Sequence, residues 1–67
     1  MTLKRARQAA IAQAKSAKSR DDSVYIYRIG KRQFEITTGV MPDSLVQIIH
    51  ASWAKDGWYE KYHPEYF

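Results

Sequence analysis

The chain contains no cysteine in only 67 residues, and this combination limits its fold more than any other feature of the sequence. Without cysteine, neither disulfides nor thiolate-bound zinc can stabilise so small a domain. A hydrophobic core of this size supplies a net stability of only about 3–5 kcal/mol. We therefore expect one domain over residues 1–67, with most large apolar side chains in its core. The lack of cysteine is typical of a reducing compartment, and we predict a cytoplasmic location.

Positive charge is concentrated near the N-terminus. Residues 1–20 contain six Lys and Arg and no acidic residue, whereas residues 21–67 contain five basic and seven acidic residues. A basic segment on a near-neutral body is typical of proteins that bind an anionic partner, although a solvated helix face has the same composition. No uncharged stretch approaches the length that spans a bilayer, so we expect no membrane association.

Residues 2–20 are rich in alanine and predict a helix with Thr2 as its N-cap. At 100° per residue, two neighbouring stripes run along this helix. The alanine stripe consists of Leu3, Ala6, Ala10, Ala14 and Ala17. The basic stripe consists of Lys4, Arg7, Ile11, Lys15 and Lys18. The basic stripe has the spacing to follow a phosphate backbone or to lie in solvent, and the alanine stripe suits a close helix-to-helix contact in a homodimer.

Residues 23–38 are rich in β-branched and aromatic side chains on both sides of Gly30, and they predict a β-hairpin. Its register has two solutions. In the first, a two-residue loop that begins at Gly30 pairs Tyr27 with Phe34 and places Tyr25 and Tyr27 on the core face. We favour this first register, because a small domain needs the area of aromatic side chains in its core.

In the second register, a three-residue loop pairs Ile26 with Ile36, which turns Val24 and Ile26 inward and both tyrosines outward. Outward tyrosines beside Lys31 and Arg32 of the loop would form a stacking platform for single-stranded nucleic acid. The choice between the registers therefore bears directly on function.

Residues 43–56 predict the main core helix. Asp43 follows Pro42 as its N-cap, and Gly57 stands at the position after its C-terminal end. Apolar residues recur at helical spacing at Leu45, Ile48, Ile49 and Trp53. We expect this apolar face to cover the hairpin, with Trp53 buried.

The segment 58–67 is an aromatic tail, with its aromatic residues at Trp58, Tyr59, Tyr62, Tyr66 and Phe67. Pro64 excludes a long regular helix. We expect the tail to fold back over the sheet as a third strand or an irregular cover. The alternative is an exposed segment that inserts into a protein partner, since Tyr and Trp dominate interface hot spots.

The sequence contains no recognisable catalytic or metal-binding pattern. His50 and His63 are its two histidines, each of them more typical of a structural residue than of a general base, and Asp21 and Asp22 share no metal-ligand spacing with either. Ser44 and Ser52 lack the glycines of a nucleophile elbow, and the three glycines form no phosphate loop. We therefore predict a protein that is not an enzyme and that has no metal or other cofactor.

These patterns predict a small α+β domain with the element order α-β-β-α. The first functional hypothesis is a nucleic-acid-binding protein whose phosphate contacts come from Lys4, Arg7, Lys15, Lys18, Lys31 and Arg32. The second is a protein-binding adaptor or inhibitor that uses the five aromatic residues of the tail. Small basic binding proteins of this style are typical of phages and mobile elements, which act on host machinery.

Overall fold

A computed structural model describes residues 1–62 of the chain and shows a mixed α+β domain. The elements in chain order are helix α1 (Leu3–Lys15), strands β1 (Ser23–Gly30), β2 (Gln33–Thr38) and β3 (Leu45–His50), and helices α2 (Ala51–Lys55) and α3 (Trp58–Tyr62). The three strands form one antiparallel sheet in the order β2-β1-β3. The predicted α+β class is confirmed, and β1 is the central strand.

The core lies between one face of the sheet and α1. Ala6, Ala10 and Ala14 of the alanine stripe are completely buried, and they form one cluster with Val24 and Ile26 of β1. Alanine allows a helix to approach a sheet closely because its side chain is only a methyl group. The alanine stripe therefore packs inside the domain, and the predicted homodimer contact through it is wrong.

The hairpin has the second of the two registers, so the register that we favoured is wrong. Arg28 pairs with Phe34 and Ile26 pairs with Ile36, with an irregularity between Arg28 and Gly30. Side chains alternate between the two faces of a strand. Since Val24 and Ile26 lie in the core, Tyr25 and Tyr27 lie on the face that is turned away from α1.

The predicted core helix over 43–56 is also wrong, because residues Leu45–His50 form β3 and only Ala51–Lys55 is helical. Valine and isoleucine make up half of this strand, and these side chains favour extended backbone. The open side of β1 supplies partners for the backbone of β3, which a short apolar run alone does not reveal. Asp43 consequently begins a turn and caps no helix.

The first helix is shorter than predicted and ends at Lys15, with Ser16 as its C-cap. Thr2 is the N-cap as predicted, and its side chain accepts a hydrogen bond from the Arg5 amide. Gly57 follows α2 with a φ of 73°, as expected for a glycine after a helix end. Its amide donates to the Ala54 carbonyl at 3.1 Å.

The described part of the tail does not form the third strand, but it folds back onto the domain as a helix. Its first five residues form α3, whose Tyr59 is buried in the core cluster. Trp53, which we expected in the core, is 43% exposed, because α2 turns its alanines inward instead. Tyr66 and Phe67 lie outside the described residues.

We predict that Ala10→Leu destabilises the domain by about 1–3 kcal/mol, because the larger side chain has no space between α1 and the sheet. Chemical denaturation measures this loss. Ala12→Leu is the matched control, since Ala12 is exposed on the same helix and both residues favour helix. Equal effects of the two substitutions would contradict the packing of the alanine stripe.

Candidate nucleic-acid interface

The basic stripe of α1 is used largely for contacts within the domain. Arg7 donates from Nε to the Gln47 side chain of β3 at 2.9 Å. Ile11 is buried in the core, and Lys15 forms an ion pair with Glu60 of α3. Lys18 is exposed beyond the end of α1. The stripe therefore faces β3 and α3 over most of its length and offers no continuous row of cations to a partner.

The start of α1 and the hairpin loop lie at the same end of the molecule. Met1 bonds twice with Phe34, since its carbonyl accepts from the Phe34 amide at 2.8 Å and its amino group donates to the Phe34 carbonyl at 3.0 Å. This contact fixes the chain three residues before Lys4 to β2 at a point two residues after Arg32 of the loop. The side chains of Lys4, Lys31 and Arg32 are exposed, and neither ion pair within residues 1–62 involves them. We call this group the basic end.

The hairpin loop is held by Arg28. Its guanidinium donates to the carbonyls of Gly30 and Lys31, both at 2.8 Å. These bonds satisfy two carbonyls of the turn and restrict its motion. Lys31 and Arg32 are thus presented on a braced turn rather than on a loose loop.

The sheet face opposite α1 carries both tyrosines of the central strand, and we call it the open face. Tyr25 lies between Thr37 and Ile48, and Tyr27 lies beside Glu35 on β2. The buried residues of all three helices belong to the core cluster on the other side of the sheet or lie next to it. No helix within residues 1–62 therefore covers the open face. The tyrosines are partly exposed along its centre.

A second exposed aromatic group lies at α2 and α3, and we call it the aromatic cluster. The ring centroids of Trp53 and Trp58 are 5.6 Å apart, and those of Trp58 and Tyr62 are 5.4 Å apart. Each of the three side chains is more than 40% exposed. The ring centroids of His50 and Trp53 are 4.3 Å apart in an edge-on arrangement. His50 Nδ1 is hydrogen-bonded to the Ser23 hydroxyl at 2.8 Å. Since Ser23 and His50 pair across the open face, the aromatic cluster adjoins that face at the end of β3.

Tyr59 differs from the other predicted tail residues because it has a structural role. It is 4% exposed, and its hydroxyl donates to the Ile48 carbonyl at 3.1 Å on the outer edge of β3. Burial raises the pKa of Tyr59, and a side-chain hydrogen bond with Gln47 offsets part of this effect. Trp58 and Tyr62 are the described members of the predicted protein-binding set that remain at the surface.

The described part of the chain shows few other features that indicate a metal site, a ligand pocket or a membrane segment. Residues 1–62 contain no group of three or more His, Asp or Glu side chains arranged to hold a metal ion. An open cleft lies between the end of α1 and the adjacent ends of β1 and β2, lined in part by Lys18, Asp22 and Thr38. Its charges are mixed in sign, which points to no particular ligand. None of the helices in residues 1–62 has the length and apolar character needed to cross a membrane.

No family model, curated protein or solved structure matches this chain. The two surfaces that bear on its function are the open face and the aromatic cluster. The sequence contained signals for both of them, namely alternating tyrosines in a strand and tryptophans around Gly57. It did not show that these side chains lie outside the core.

We predict that Tyr59→Phe lowers the free energy of unfolding at pH 7 by about 0.5–1.5 kcal/mol, because the bond to the Ile48 carbonyl is lost. The pKa of Tyr59 is raised in the folded state, so its stabilisation is complete below the unfolded value of about 10. It is lost as the pH rises through the folded value. The wild type should therefore lose more stability than the variant above pH 10.

Denaturant titrations of both proteins at neutral and alkaline pH measure this difference. Tyr62→Phe is the control, because the Tyr62 side chain is mostly exposed. A Tyr62→Phe variant as unstable as Tyr59→Phe would contradict the assigned role of Tyr59.

Proposed function

We propose that this protein binds single-stranded nucleic acid, with bases stacked on Tyr25 and Tyr27 of the open face and phosphates at the basic end. The observation that carries the proposal is the hairpin register, which turns both tyrosines of the central strand away from the core. Aromatic rings on an exposed sheet are a recurrent platform for unpaired bases.

The two parts of the site are next to each other along the hairpin. Tyr27 precedes the loop by a few residues on β1, and the loop carries Lys31 and Arg32. A strand of nucleic acid that stacks on the tyrosines can thus reach the basic end with its phosphates. Stacking tolerates every base, and phosphate contacts carry no sequence information. The expected binding is therefore general rather than sequence-specific.

Glu35 lies directly across from Tyr27 on the open face. A carboxylate repels phosphate, so the backbone of the nucleic acid should avoid this position and follow the side of the loop cations. Replacing Glu35 by Gln should tighten binding modestly, whereas a partner that is not an anion would not respond in this way.

We predict that Tyr27→Leu weakens binding of a single-stranded oligonucleotide by about 5- to 150-fold, the range that corresponds to the loss of one stacked base. Fluorescence anisotropy of a labelled oligonucleotide gives the dissociation constant. Tyr27→Phe is the matched control, because phenylalanine retains the stacking surface. Equal affinity of the Leu and Phe variants would overturn the stacking role.

Salt dependence and charge reversal test the phosphate contacts. If the three cations of the basic end contact phosphates, binding should weaken by about 20-fold between 50 and 200 mM salt. Lys31→Glu should weaken binding strongly. Lys61→Glu changes the net charge equally on α3, away from the basic end, and should have a small effect.

Lys18→Glu tests the remaining exposed cation of the basic stripe. Loss of binding on this variant alone would assign the contact to the segment that follows α1 instead.

A second candidate function is supported by the aromatic cluster. Trp53, Trp58 and Tyr62 form a contiguous exposed group, and exposed groups of large aromatics mark protein interfaces more often than isolated ones do. A partner protein bound here would lose affinity on Trp58→Ala and would be indifferent to Tyr27→Leu. Tryptophan fluorescence that changes on addition of an oligonucleotide would instead place this cluster beside the nucleic-acid site.

A further inference from the structure

The sheet has two edges, formed by β3 and β2, and each is contacted at one residue by a neighbouring segment. At the edge of β3, the Ile48 carbonyl accepts the hydroxyl of Tyr59. At the edge of β2, Met1 occupies both backbone groups of Phe34. Unpaired strand edges are templates for pairing with another strand, and within residues 1–62 the β2 edge beyond Phe34 contains unpaired groups of this kind.

Alternation along β2 identifies its unpaired backbone groups. The amide and carbonyl of Phe34 point away from β1, because they bond to Met1. In an antiparallel strand, every second residue points its backbone groups to the same side. Ile36 and Thr38 therefore also point their amides and carbonyls outward. Within residues 1–62, these outward groups take part in one hydrogen bond. The Thr37 hydroxyl donates to the Thr38 carbonyl at 3.4 Å, which is a long distance for such a bond.

The open part of this edge is short and bounded on both sides. Met1 closes it before Ile36, and Gly39, with a φ of 89°, bends the chain away after Thr38. Between these limits, the side chains of Ile36, Thr37 and Thr38 are uncharged and β-branched. They favour strand pairing and introduce no like-charge repulsion between two copies of the same edge.

We propose that this edge of β2 pairs antiparallel with the same edge of a second copy of the chain. The two-fold axis passes midway between Thr37 of one copy and Thr37 of the other. Ile36 of each copy therefore lies opposite Thr38 of the other. This register uses the outward groups of both residues, and each pair exchanges both of its N–H···O bonds. Centring the axis on Ile36 would place Thr38 opposite Phe34, whose groups are taken by Met1.

The dimer has a continuous six-stranded sheet with its two open faces on the same side. The central strands of the two copies are three strand spacings apart, or about 14 Å. Because both copies of α1 then lie on the opposite side of the sheet, they do not obstruct the open face. The pairing itself does not depend on nucleic acid and is tested in its absence.

The test uses charges at Thr37, whose side chain meets its own copy across the two-fold axis. Sedimentation equilibrium of the full chain over a range of concentrations should show a dimer for the wild type. Thr37→Glu and Thr37→Lys should each weaken dimerisation by about tenfold or more, because like charges then face each other. An equal mixture of the two variants should restore the dimer, since opposite charges meet at the same position.

Thr38→Pro is an independent variant, because it removes an outward amide and leaves the bonds between β1 and β2 intact. Thr38→Val retains the amide and is its control. Far-ultraviolet circular dichroism verifies that each variant is folded. A wild type that stays monomeric at millimolar concentration would overturn the proposal, and so would a dimer that persists in both Thr37 variants. A dimer lost in Thr37→Glu and Thr37→Lys but not regained in their mixture would also overturn it.

Discussion

The structure depends on the close contact between the alanine stripe of α1 and the centre of β1. Methyl side chains let the helix axis come near the sheet, and Val24, Ile26 and Ile49 fill the space between them. This contact decides which face of the sheet is inside. Side chains alternate between the two faces of a strand. Because Val24 and Ile26 of β1 face the helix, the tyrosines of the same strand point away from that core.

A core of alanine, valine and isoleucine, with Tyr59 as its aromatic member, leaves most large aromatic side chains of residues 1–62 at least partly exposed. Trp53, Trp58 and Tyr62 are each more than 40% exposed, although their burial would stabilise a domain of this size. Such exposure is informative because single apolar residues at a surface are ordinary, whereas contiguous aromatic groups are not. The open face and the aromatic cluster are therefore the surfaces on which binding is most reasonably sought.

Different segments contact the two edges of the sheet. Tyr59 covers part of the outer edge of β3, and Lys15 and Glu60 tie α3 to α1 on the same side of the domain. Among residues 1–62, Met1 bonds to the β2 edge at Phe34, and the edge beyond it has no such cover. The sheet thus presents an open face and, beyond Met1, an open stretch of the β2 edge, and the functional proposals concern these two surfaces.

The sequence by itself determined the α+β class, the hairpin strands, the N-cap at Thr2 and the helix end before Gly57, because each follows from local propensity or from a backbone requirement of a single residue. Only the tertiary structure decided the hairpin register, the strand conformation of Leu45–His50 and the surface position of Trp53. Apolar residues in that strand fit a helical and an extended pattern equally well, and the open side of β1 selected the extended one. The candidate site follows from the hairpin register, since Tyr25 and Tyr27 are interior in one register and exposed in the other. Side chains in a strand alternate with a period of two, so a shift of one residue in pairing exchanges the two faces.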